Sequence, residues 1–134
     1  MISLFIKNFT LYVLDACEIK GGDIIFDYGS KVEFVNPGQK TVIYADGLLV
    51  WKADIENTDL RTVAKGFKLI GYAAGYIHIE GDWAGTLHAR WANLTIGQVK
   101  KMMFGRFVAE TVNVGPGLML YRVDFDPISY ANMV

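Results

Sequence analysis

Apolar and polar residues alternate over runs of about five to eight positions along most of the chain, each run bounded by Gly, Asp or Asn. A period of two sends successive side chains to opposite faces of an extended strand, so the pattern predicts a chain made mainly of β-strands. In the first run Phe9, Leu11 and Val13 share one face, and Thr10 and Tyr12 the other. Ile24, Phe26 and Tyr28 face Val32 and Phe34 if Gly29-Ser30-Lys31 forms a three-residue loop, whereas a two-residue turn would break that face. In TVIYADGLLVWKA, residues 41–53, Asp46-Gly47 suits a type I′ turn because both central residues need positive φ. The hairpin this implies pairs Ile43 with Val50 and Val42 with Trp51, is apolar on both sides, and is therefore expected to be central or in an interface.

Residues 53–59, ADIENTD, read as a polar loop, and LRTVAKGFKLIG after them resumes strand-like spacing. Thr95 with Gln98 forms a capping box, and Ile96, Val99 and Met103 recur at helical spacing, which predicts one short helix near residues 96–103. A rival reading carries that helix on to Thr111. FGRFVAETVNV and LMLYRVDF then alternate around Gly115-Pro116-Gly117 and read as a second hairpin. Residues 126–134 contain Pro127 and no period, and read as a tail, loose or docked on a neighbour. The expected fold is mainly β, an antiparallel β-sandwich or small β-barrel in a single β-rich domain spanning residues 1–134.

The stretch GYIHIEGDWAGTLHARW, residues 75–91, holds both histidines and two of the three tryptophans. A three-residue loop at Gly81-Asp82-Trp83 would pair Ile77 with Leu87 and Ile79 with Gly85, giving an apolar face that also takes in Ala89 and Trp91. The other face would carry Tyr76, His78, Glu80, Thr86, His88 and Arg90, with Tyr76 opposite His88. Those six are the candidate ligand-binding residues. On the outside of a sheet they are ordinary occupants; in a pocket, a neutral histidine exchanges protons while Arg90 holds an anion. Two histidines with Glu80 also have metal-ligating chemistry, but no recognised spacing motif, and no metal site is assigned.

Composition narrows the function classes. Thirteen basic and fourteen acidic residues in a chain of 134 give a formal charge of −1, so nothing in the overall charge points to nucleic acid or an anionic membrane. The first residues contain no secretory h-region and no run long enough to span a bilayer, which reads as a soluble, cytoplasmic protein. The lone Cys17 permits no intrachain disulfide. Ser3, Ser30 and Ser129 lie in no G-x-S-x-G elbow, and no Walker, dinucleotide-binding or zinc-finger spacing occurs, so no catalytic residue and no cofactor is assigned. Hydrophobic residues make up 52% of the chain against 20% charged, with a mean hydropathy of +0.26. Such a balance implies either an unusually complete core or apolar surface covered by a partner, most simply a second copy in a homo-oligomer.

The expected function is therefore a non-enzymatic binding or assembly protein that self-associates through apolar β-sheet surface. It would present a shallow polar pocket to a small anionic ligand or a protein partner. The alternative is a small β-barrel enzyme or ligand carrier using Tyr76, His78, Glu80, His88 and Arg90.

Overall fold

The computed structural model describes residues 3–97 and 101–125. Within it the short alternating runs become strands laid in successive coils. The first coil is β1 (Leu4–Ile6), β2 (Thr10–Val13) and β3 (Cys17–Gly21), and the second is β4 (Ile24–Phe26), β5 (Lys31–Phe34) and β6 (Thr41–Ala45). The third holds β7 (Leu49–Trp51), β8 (Asp54–Ile55), a short helix α1 (Leu60–Gly66) and β9 (Phe67–Gly71), and β10 (Gly75–Ile79) opens the fourth. Two long strands, β11 (Trp83–Ile96) and β12 (Met102–Val114), then each bend round a corner, and β13 (Met119–Arg122) follows.

All pairings among these strands are parallel, each strand lying on its counterpart one coil earlier. The molecule is a β-solenoid with three faces. On the first, β1, β4, β7, β10 and the C-terminal halves of β11 and β12 stack in that order. The second is short, β2–β5–β8. On the third, β3, β6, β9 and the N-terminal halves of β11 and β12 carry β13.

Stacking in register turns each strand position into a column running along the solenoid. Leu4, Ile24, Leu49, Ile77, Leu94 and Val112 form one inward column, and Ile6, Phe26, Trp51, Ile79, Ile96 and Val114 the next. On the third face Ile19, Ile43, Leu69, Leu87 and Phe107 point at them. The middle of the core is aromatic: Trp51 lies 4.4 Å from Phe26, 5.8 Å from Phe67 and 5.1 Å from Trp83, centroid to centroid. Asn57 extends the second face by imitating a strand, its amide accepting from Phe34 N and donating to Phe34 O, both at 2.8 Å.

The antiparallel sandwich or barrel is thus corrected to a parallel solenoid, and none of the expected hairpins forms. At Asp46-Gly47 the chain turns a corner instead of reversing. Asp46 N donates to Gly21 O and Gly47 N to Gly22 O, so the turn is stacked on the corresponding turn of the coil before. Gly81-Asp82-Trp83 likewise leads from one face to another: β10 pairs with β7 and the far half of β11, not with residues 83–89. β4 and β5, expected to share a face across Gly29-Ser30-Lys31, enter different sheets, and the strands flanking Gly115-Pro116-Gly117 are parallel. An isolated hairpin gives each strand one partner. A coil gives every interior strand a partner on both edges, satisfying its backbone groups and confining open edges to the ends.

The one helix described is at Leu60–Gly66, where strand spacing had been expected, and not near residues 96–103. Ile96 ends β11 and Met102–Val114 is strand, which also removes the extension to Thr111; residues 98–100 and the tail 126–134 lie outside the described residues. Tertiary register outweighs the local capping signal at Thr95, because Ile96 completes an inward column. α1 buries Val63 and Ala64. Asp59 caps it, accepting from Thr62 Oγ1 at 2.6 Å and from Thr62 N at 3.1 Å, which holds the carboxyl below its ordinary pKa. A depressed carboxylate contributes stability that is present above its unfolded-state pKa and is lost as pH falls through the lower folded-state value. Asp59→Ala is therefore expected to flatten the acid limb of the stability curve below about pH 4 while leaving its shape at neutral pH unchanged, read by urea unfolding across pH.

Candidate functional site

β10 and β11 carry five of the six candidate residues, Glu80 follows β10 directly, and the coil separates them. Tyr76 and His78 point outward from the first face, where Tyr76 is 86% exposed and His78 Nδ1 lies 3.2 Å from Glu80 Oε1. Tyr76 has Asn93 as its neighbour and His78 has Thr95. Thr86 and His88 point outward from the third face, between Lys68 and Arg106 and between Ile70 and Val108 respectively. Arg90 stands at the corner joining the two faces, its guanidinium 4.7 Å from the Trp91 ring centroid. The expected pairing of Tyr76 with His88 is replaced by these, and the two histidines belong to different faces.

The side each residue occupies follows the alternation all the same. Ile77, Ile79, Leu87 and Ala89 are buried, while Tyr76 and His78 are exposed. Trp91, expected inside, is exposed because the corner at Arg90-Trp91 interrupts the period. With His78, Glu80 and Tyr76 on one face and His88 on another, the set does not converge on one reacting atom. Among the described residues no three His, Cys, Asp or Glu side chains gather into a metal-binding group, and no helix is long and apolar enough to cross a membrane.

The larger feature is at the two ends of the solenoid. Val112 and Val114 stand in the inward columns, yet they are 41% and 60% exposed, and among the described residues no further strand lies over them. With Ile96, Phe107 and Leu120 they line a cavity of about 420 Å³, rimmed by Arg106 and Arg122. This is the core seen end-on. At the other end Leu4, Ile6, Leu11, Val13 and Ile19 are only half-buried, and Phe9 and Leu14 are exposed. Stacked-repeat proteins ordinarily close such ends with a polar cap, since an open end exposes both core side chains and unpaired strand edges.

Val112, Val114 and Leu120 fall in the two runs expected to pair as the second hairpin. Their apolar alternation is visible in the sequence; that Val112 and Val114 are the last described residues of their columns follows only from the coil. Lys68, which flanks Thr86, has no signal in the sequence beyond being basic, and Arg106 reads there only as part of a small basic patch with Lys100 and Lys101. Comparison with protein-family models, with curated proteins and with solved structures finds no match.

Proposed function

We propose that the chain is a non-enzymatic assembly protein whose copies associate end to end, the C-terminal end of one solenoid seating on the N-terminal end of the next. The observation that carries this reading is the exposure of Val112 and Val114 in columns whose members from Ile24 to Leu94 and from Phe26 to Ile96 are buried. Among the described residues Leu4 begins the column that Val112 ends, and Ile6 begins the column that Val114 ends. A second copy added with the same strand direction lays aliphatic on aliphatic and extends the parallel ladder by one more coil. Such a head-to-tail contact joins two different surfaces, so it does not close on itself and propagates into a filament. The apolar composition is accounted for by the same contact.

Blocking one end at a time tests it. Wild type is expected to gain mass with concentration in sedimentation analysis, while Ile6→Glu and Val114→Glu are each expected to remain monomeric with an unchanged circular dichroism spectrum. Mixed together, the two variants retain one intact end each and are expected to form a one-to-one dimer. A wild type that stays monomeric at high micromolar concentration contradicts the proposal. So does an Ile6→Glu variant that dimerises alone, since that result requires like ends to meet.

A further inference from the structure

We propose that the outer surface of the third face binds the phosphate group of a small organic phosphate monoester, in the pocket between Lys68, Thr86, His88 and Arg106. This inference is independent of end-to-end assembly. The pocket has a volume of about 390 Å³ and is walled further by Val108, Asp124 and Phe125. It is built by coil stacking: Lys68 on β9, Thr86 on β11 and Arg106 on β12 occupy one outward column in consecutive coils, and His88 lies two positions along β11 from Thr86. Neighbouring strands are about 4.8 Å apart, so the two cations flank the threonine within reach of one bound group.

Three observations point to an anion. Among the described residues neither Lys68 nor Arg106 has a carboxylate within ion-pair distance. Asp124, the one acid on the wall among the described residues, is engaged by Arg122 Nε at 3.3 Å. Thr86 is 6% exposed, and its Oγ1 is buried with no hydrogen-bond partner among the described residues. Buried hydroxyls are rarely left without a partner, and an oxyanion entering between Lys68 and Arg106 supplies an acceptor for it. Donors arriving from three coils surround a tetrahedral group better than a planar carboxylate, which is matched by a single fork.

The rest of the pocket argues for an organic portion. At about 390 Å³ it falls at the small end of ligand sites and exceeds what one phosphate fills. Val108 offers an apolar wall against which an organic group on the ligand can pack while its phosphate meets Lys68 and Arg106.

Phenyl phosphate, inorganic phosphate and phenol, each titrated into the full chain by calorimetry, separate the two contributions. Phenyl phosphate is expected to bind saturably and more tightly than inorganic phosphate, and phenol not at all. Arg106→Gln and Lys68→Gln are each expected to weaken phenyl phosphate by about tenfold, the ordinary loss for a hydrogen bond to a charged group. Thr86→Val preserves shape and removes the unpaired hydroxyl, so it is expected to keep the thermal midpoint of the unliganded protein while losing affinity. Lys31→Gln, on the second face, is expected to bind as wild type. Absence of saturable binding by either phosphate overturns the proposal. Equal binding of phenol and phenyl phosphate, or affinity unchanged in both Arg106→Gln and Thr86→Val, overturns it as well.

Discussion

Trp51→Ala is expected to lower the unfolding free energy by about 3–5 kcal/mol, the usual range for emptying a fully buried aromatic site. Trp51 has no exposed surface and stands where three coils meet, against Phe26 from the coil below, Phe67 from its own and Trp83 from the coil above. Truncation leaves a cavity that β-strands fixed on both edges cannot collapse to fill. The indole also carries a cost of its own, because Trp51 Nε1 is buried without a hydrogen-bond partner. Trp51→Phe keeps an aromatic ring and removes that unpaired donor, so the lost volume and the relieved donor oppose one another. Its expected cost is about 1 kcal/mol or less. Urea unfolding followed by circular dichroism reads both variants. A loss below about 1 kcal/mol in Trp51→Ala would mean that the aromatic centre is not packed as described.

Gly105→Ala is expected to cost about 2–5 kcal/mol, from a strained backbone and overpacking together. Gly105 pairs with Gly85 in the next coil, and both adopt positive φ, +152° and +151°. A Cβ on Gly105 would collide with the carbonyl oxygen of Gly85, while one on Gly85 would press 2.7 Å from Cδ2 of Phe67. The same carbonyl of Gly85 accepts from Trp83 Nε1 at 2.9 Å, so it cannot move aside without breaking the one hydrogen bond that satisfies that buried indole. Gly75 supplies the comparison, having φ +136° with nothing within 4 Å of an added Cβ. Gly75→Ala therefore measures backbone strain alone, about 1–3 kcal/mol. Equal losses at the two positions would show that the coils do not approach so closely at Gly105.

How far the sequence revealed this fold differs from residue to residue. Ile77, Ile79, Leu87 and Ala89 could be placed inside, and Tyr76 and His78 outside, because alternation along a strand is the same whichever strand lies beside it. Pairing direction had no such signal. Asp46-Gly47 has the chemistry of a hairpin turn, and the same two residues serve equally at a corner once Asp46 N and Gly47 N find acceptors in the coil below.

The coil itself escaped notice because its length is irregular. Leu4 lies 20 residues before its partner Ile24, which lies 25 before Leu49, whereas Asn93 and Thr111 are 18 apart. Solenoids are usually recognised by a fixed period, and insertions such as α1 in the third coil destroy it. The candidate site was legible to the same degree. Alternation separates Thr86 and His88 from the buried Leu87 and Ala89, but Lys68 and Arg106 stand 18 and 20 residues from Thr86 and become its neighbours only through stacking.

Parallel stacking is the claim on which the open ends and the pocket both depend, and disulfide cross-linking tests it directly. In a Cys17→Ser background, two further cysteines can bridge only where their Cα atoms lie within about 7 Å. His78→Cys with Thr95→Cys joins partners in the parallel register of β10 and β11. His78→Cys with Thr86→Cys joins the pair that a hairpin through Gly81-Asp82-Trp83 would place opposite one another. The account predicts an intramolecular disulfide in the first double variant under mild oxidation, seen by mass spectrometry, and none in the second. Cross-linking of residues 78 and 86 with none between 78 and 95 would contradict it.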